Sequence, residues 1–248
     1  MRRHTRCNVN YANWNCAYPS SDGKEEAYRR AVMALCEIED LRPTHFVEVE
    51  SRLPFDVENI PTLGDYYDDM GFDRIMHPKY ESGLCSTGRH LAAFGLTFRK
   101  IHPKYVVRIW NAVEELSQRI TPEFATLNFA WKDSDEREQT RLLHRSAFRL
   151  FFDYYDAGTP GIGARTWFGP DLAAKIGEDL LLEAGARRTD WGGWDLVLFE
   201  RPWEVSFEEF RDRHDEIEEI LRRSGQFGIH EPGLPKPGPN WKPIPRSW

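Results

Sequence analysis

Two segments of this 248-residue chain share the same order of features. "EIEDLRPTHFVEVE" and "ELSQRITPEFATLNF" each run from a helix end through a proline into a strand-type stretch. Proline cannot continue a helix, and the residue before it favours extended backbone, so each segment predicts a helix followed by a strand. The sequence therefore favours alternating helices and strands. A duplication of one α/β unit remains open beside two uses of a common stop signal.

Periodicity extends this pattern to the rest of the chain. "PKYVVRIWNAVEELSQRI" and "GPDLAAKIGEDLLLEAG" each predict one helix, and "RTWF" and "PEFATLNFAW" predict strands. "SFEEFRDRHDEIEEILRR" predicts a last helix, in which Ser206 and Glu209 have the spacing of a capping box. "NVNYANW" alternates and predicts an edge strand. The predicted class is α+β, with helices packed on an antiparallel or mixed β-sheet.

The length suits one large domain or two modest ones. We predict a single domain over residues 1–222, with subdomains 1–131 and 132–222 as the alternative division. Residues 223–248 form a proline-rich tail, "HEPGLPKPGPNWKPIPRSW" at its end, which is expected to run extended.

The charge balance limits the classes of partner. The net charge is −7, which argues against binding to nucleic acid or to an anionic membrane, because both need basic fields. It is compatible with a basic protein partner. The basic N-terminus has no apolar run after it, and no stretch approaches the roughly 18–20 apolar residues of a membrane helix. A cytoplasmic chain with reduced cysteines is the expectation.

No motif for a catalytic group, a metal or a cofactor is predicted. "GTPGIGAR" lacks the lysine and hydroxyl residue of a phosphate-binding loop, and the eight histidines have no ligand spacing. The alternative to a binding protein is a small hydrolase or transferase that uses carboxylates within residues 65–73 or the thiol of Cys85. Such an enzyme would gather Asp69, His77, Cys85 or His90 in a deep pocket.

The acidic stretch "GDYYDDMGFD" is the first candidate partner surface. Tyrosine supplies contact area at low entropy cost, and carboxylates complement a basic partner. A solvated loop and an active site are the other two interpretations. The candidate contact residues here are Asp65, Tyr66, Tyr67, Asp68, Asp69 and Asp73.

The stretch "DWGGWDLVLFE" is the second candidate. A two-residue Gly-Gly turn would make Trp191 and Trp194 the flanking pair, with Asp190 opposite Asp195. The tryptophans could close the core at its edge, or they could be exposed contact residues. Trp191, Trp194 and Asp195 are therefore candidate partner-binding residues.

The segments "ARTWFGPDLAAKIGEDLLLEAG", "DWGGWDLVLFERPWE" and "FRDRHDEIEEIL" follow one another in the C-terminal third of the chain. Together they resemble the C-terminal part of bacterial immunity proteins of the type VI secretion and polymorphic-toxin kind. In these, a strand with a tryptophan leads into a helix of the form "lGp-x-L-x-x-x-iGG", followed by a strand pair and a last helix. The matching residues are Trp167, Gly169, Leu172, Ile176, Gly177, Leu180, Gly193, Pro202 and Leu221.

The resemblance covers roughly residues 105–222, and Glu178 stands where the family has its second glycine. It implies no catalytic residues. It implies an antidote that binds a cognate toxin and neutralises it by occlusion, for which a basic toxin is the best electrostatic match.

Overall fold

The computed structural model describes residues 9–17, 24–47, 52–58, 74–77, 83–87, 93–99, 101, 103–135, 154, 156–229 and 236–243. Within these residues the fold is α+β, as the sequence predicts. Ten strands form one sheet, and five α-helices accompany them.

The strands are numbered in the order in which they occur along the chain. They are β1 (Val9–Ala17), β2 (His45–Val47), β3 (Arg52–Pro54), β4 (Arg74–His77), β5 (Gly83–Thr87), β6 (Ala93–Arg99), β7 (Phe124–Trp131), β8 (Arg165–Phe168), β9 (Arg187–Arg188) and β10 (Trp194–Val197). Their order in the sheet is β3-β2-β4-β5-β6-β1-β7-β8-β10-β9. Each pairing between these strands is antiparallel.

The first strand lies at the centre of the sheet, so its prediction as an edge strand is wrong. β1 pairs with β6 on one side and β7 on the other, and Trp14 stands opposite both Leu96 and Leu127. Alternation along a strand reports that its two faces differ. It does not report whether the strand has one neighbour or two. Long-range pairing decides that position, and no local pattern encodes it.

The helices are α1 (Lys24–Glu37), α2 (Pro103–Ile120), α3 (Pro170–Ile176), α4 (Glu178–Glu183) and α5 (Phe207–Arg222). The single helix predicted from "GPDLAAKIGEDLLLEAG" is in fact two, α3 and α4. Gly177 separates them with a φ of 97°, a left-handed conformation that a helix cannot continue through. α5 begins with the predicted capping box of Ser206 and Glu209.

The core lies between the sheet and the helices. α2 buries one full face, which includes Val106, Ile109, Val113 and Leu116. At its centre the indole nitrogen of Trp14 donates a hydrogen bond of 3.1 Å to the hydroxyl of Ser117. This contact joins β1 to α2 and satisfies a buried donor.

The sheet continues across the division suggested at residues 131 and 132, because β7 pairs with β8. The tail also packs on this chain: Trp241 is buried, and its ring centroid lies 5.4 Å from that of Tyr154. The division into subdomains stays a prediction. Among the described residues, no helix is both long and apolar enough to cross a membrane.

Candidate functional site

A buried arginine lies at the centre of the candidate site. Arg165 opens β8, and its side chain is only 5% exposed. Its guanidinium carbon is 5.3 Å from the ring centroid of Trp110 on α2 and 5.0 Å from that of Trp167 on β8. A weakly hydrated planar cation is well suited to such an aromatic surround.

Two carboxylates bind this guanidinium. Asp195 of β10 accepts from Nε at 2.9 Å and from Nη2 at 2.5 Å, which is the bidentate geometry of a strong ion pair. Glu114 of α2 lies 2.7 Å from Nη2. One buried cation therefore meets two anions, and the cluster carries an excess negative charge.

The electrostatics favour the charged forms of Arg165 and Glu114. The hydrogen bond from Arg165 holds the pKa of Glu114 below its ordinary value. Burial opposes the charge of Arg165, but the hydrogen bonds to Glu114 and Asp195 more than offset it. The pKa of the guanidinium therefore lies above its ordinary value.

A cavity of about 170 Å³ opens beside this cluster. Its lining residues are Trp110, Glu114, Arg165, Gly185, Arg187, Asp195, Val197 and Glu200. Glu200 and Arg187 are exposed at its edge, where Nη2 of Arg187 lies 3.8 Å from Oε1 of Glu200. The cavity is thus lined by charges and one indole face. It suits a polar or cationic group better than an apolar ligand.

The hairpin beside the cavity differs from its predicted register. Trp194 pairs with Arg188 and Asp195 with Arg187, so residues 189–193 form a five-residue loop. The predicted opposition of Asp190 and Asp195 is wrong, as is the two-residue Gly-Gly turn. The Trp191 ring covers Gly193 so closely that a Cβ there would stand 2.0 Å from it. Only glycine therefore fits at position 193 beneath this indole.

The three hairpin candidates occupy different environments. Trp194 is buried, with the Arg188 guanidinium 5.0 Å from its ring centroid. Trp191 is half-buried against the core. Asp195 is the member that reaches the cavity, and there it binds Arg165.

The acidic–tyrosine candidates Asp65, Tyr66, Tyr67, Asp68, Asp69 and Asp73 lie outside the described residues, as does His90. Cys85 lies in β5 opposite Ile75, and His77 lies in β4 opposite Gly83. Two candidate residues of the enzyme alternative, His77 and Cys85, therefore lie in neighbouring strands. Two cysteine side chains are described: that of Cys16 is buried, and that of Cys36 is partly buried.

The sequence reasoning missed Arg165 and Glu114. A usable signal was present, because Arg165 and Asp195 each stand in a short strand that is otherwise largely apolar. Charges in buried strands are costly unless they are paired, so two of opposite sign predict an ion pair. Glu114 gave no comparable signal, because it is one of two adjacent glutamates on an amphipathic helix.

A second perturbed carboxyl lies near the start of β7. Glu123 accepts a hydrogen bond from the backbone N–H of Leu172 in the first turn of α3, where Gly169 supplies no capping side chain. Burial raises the pKa of Glu123 to about 7, and repulsion from Asp171 adds to the shift. Lys175 and the Leu172 hydrogen bond act in the opposite direction.

No protein-family model matches the sequence, and no curated protein matches it. Among solved structures, the fold is similar to that of the Pseudomonas aeruginosa T6SS protein PA0821, with a TM-score of 0.53 at 12% identity. The match covers 93% of this chain and 84% of that one. The similarity shows the fold that this chain shares with a protein of a type VI secretion system.

Proposed function

We propose that this chain is an immunity protein, which binds a cognate bacterial toxin in the cytoplasm and neutralises it by occlusion. The observation that carries the proposal is the fold similarity to a T6SS protein along nearly the whole chain. The motif resemblance to immunity proteins over residues 105–222 supports it from the sequence side. A protein of this kind needs a contact surface and no catalytic group.

Charge suggests the chemistry of the toxin. The chain has a net charge of −7, and the Arg165 cluster has one more anion than cations. Complementary charge accelerates association and excludes wrong partners. The toxin would therefore present a basic surface, as a nuclease does.

Two surfaces are proposed for the contact. The first is the acidic–tyrosine segment at residues 65–73. The second is the cavity edge, where Glu114 is 36% exposed and Glu200 is more exposed still. Asp195 would act there by holding Arg165 in place. Trp194 would contribute by shaping the hairpin, because its ring is buried.

Co-expression tests the neutralisation. The product of the neighbouring gene is expressed in a bacterial host with and without this chain, and growth is followed. We expect that product to arrest growth alone and to be harmless when this chain is present, with a stable complex on gel filtration. A non-toxic neighbour, or toxicity that this chain leaves unchanged, would contradict the immunity function.

A charge-matched pair of variants tests the first surface. The triple change Asp65→Asn, Asp68→Asn, Asp69→Asn removes three negative charges from the proposed contact. The control removes three negative charges from exposed positions of α5, with Glu208→Gln, Glu216→Gln and Glu219→Gln. We expect the first to slow association at low salt by about tenfold or more and the control to change it far less. Equal effects would show that only net charge matters and would exclude this segment as a specific contact.

A further inference from the structure

A fully buried histidine on α5 has both ring nitrogens beside oxygen atoms. His214 is 0% exposed, and its Nε2 lies 3.1 Å from the backbone oxygen of Ile162. A carbonyl oxygen can only accept a hydrogen bond, so Nε2 must carry the hydrogen. This contact fixes the tautomer of the neutral ring.

The other nitrogen then faces two carboxylates. Nδ1 lies 3.1 Å from an oxygen of Asp215 and 3.6 Å from an oxygen of Glu218. In the tautomer that Ile162 fixes, the lone pair of Nδ1 faces these two carboxylate oxygens. A metal ion between the three atoms would bind the lone pair and both carboxylates.

We propose that His214, Asp215 and Glu218 bind a divalent transition-metal ion such as Zn²⁺. Their three ligand atoms lie within 4.8 Å of one another. A zinc ion about 2.0–2.2 Å from each needs ligand separations of roughly 3.2–3.5 Å, which small side-chain rotations supply. One imidazole with two carboxylates is a donor set that zinc accepts.

The surroundings of the cluster match those of metal ligands. The Ile162 carbonyl orients the ring through Nε2–H, as second partners of metal-binding histidines do. Arg222 donates to one oxygen of Glu218, and it is the other oxygen that faces His214. Asp215 is 56% exposed, which gives the ion an entry path and a place for a water ligand.

The position of the cluster indicates a structural role for the ion. His214 links α5 to the segment that leads into β8, where Arg165 begins the candidate site. The ion would bind the folded chain and not the unfolded one, so it would stabilise this link.

Metal titration of the full chain tests the proposal. The protein is stripped with a chelator, and Zn²⁺ is added while heat of binding and Tm are measured. We expect one site whose saturation at a hundredfold excess over Kd raises Tm by about 5–10 °C. Absence of both a heat of binding and a Tm rise would overturn the proposal.

A matched pair of variants locates the site. Asp215→Ala removes a proposed ligand, and Asp212→Ala removes an exposed carboxylate of the same helix outside the cluster. We expect the first to weaken Zn²⁺ binding at least about tenfold and the second to leave it unchanged. As a second readout, Co²⁺ should broaden the NMR signals of the His214 ring and of Ile162. Equal binding by both variants, or broadening elsewhere only, would exclude this site.

Discussion

A single guanidinium joins three elements of this fold. Arg165 of β8 binds Glu114 of α2 and Asp195 of β10, and two indole rings cover its faces. A buried charge of this kind is tolerated only while its partners remain. The residue therefore ties the hairpin at the candidate site to the helix on the other side of the cavity.

Replacing Arg165 tests that tie. Arg165→Met should lower the free energy of unfolding by about 3 kcal/mol, because it leaves Asp195 and Glu114 partly buried without a cation. The control, Arg213→Met, breaks an exposed pair with Glu216 and should change stability by no more than about 0.5 kcal/mol. Urea unfolding measures both. A loss at Arg165 no larger than the control's would contradict the buried-pair account.

Glu123 gives the fold a pH dependence. Its pKa in the folded chain, about 7, lies above its ordinary value of 4.5, so the folded state binds this proton more tightly than the unfolded state. The folded state is therefore favoured at low pH. This contribution declines as pH rises from about 4.5 to about 7 and is constant above that range.

Glu123→Gln should remove this dependence. The amide stays neutral and can still accept from the Leu172 N–H, so the variant should match the wild type near pH 4. It should exceed the wild type by up to about 3 kcal/mol at pH 8. Urea unfolding at a series of pH values measures the difference. A variant that is less stable than the wild type at pH 8 would show that the ionised carboxylate stabilises α3.

The start of α5 shows an element that local chemistry specifies. The Ser206 side chain accepts from the backbone N–H of Glu209, and the Glu209 carboxylate accepts from that of Ser206. Ser206→Ala should cost about 1 kcal/mol of unfolding free energy, while Ser206→Asp should keep most of the stability. Thermal unfolding followed by circular dichroism checks this. An alanine variant as stable as the wild type would mean that packing alone fixes the helix start.

Sequence patterns predicted the elements better than their arrangement. The helix at Pro103–Ile120 and the strand at Arg165–Phe168 have the predicted bounds, because apolar period and proline placement are local signals. The break at Gly177 and the five-residue hairpin loop were missed. The break in the helix depends on the positive φ of Gly177 alone. In the hairpin loop, the Trp191 indole packs over Gly193. The charges of Arg165 and Asp195 in short, largely apolar strands could have predicted their ion pair, but no local pattern predicts that Glu114 joins it.

At the scale of the whole molecule, the described part of the proline-rich tail packs against the rest of the fold. Trp241 contacts Tyr154 and lies over Gly158, where an added Cβ would come within 3.0 Å of its ring. The N–H of Gly238 donates to the carbonyl of Ala157 at 3.1 Å. The prediction of an extended tail therefore did not foresee that Trp241 is buried in the core.

Removing that aromatic residue tests the role of the tail. Trp241→Ala should lower the unfolding free energy by about 3–5 kcal/mol, because it leaves a large cavity beside Tyr154. Lys242→Ala changes the exposed neighbouring position and serves as the control. Urea unfolding compares the two. Equal stability of both variants would show that the tail contributes nothing to the core.

The central position of β1 affects when the sheet can form during synthesis of the chain. Among the ten described strands of the sheet, β1 is synthesised before the others, yet one of its two partners, β7, ends only at residue 131. At about 5–20 residues per second, roughly 6–23 s pass between the end of β1 and the end of β7. Throughout that interval the middle of the future sheet has an open edge. The topology therefore leaves the backbone groups of β1 on this side without their final partners until β7 has been synthesised.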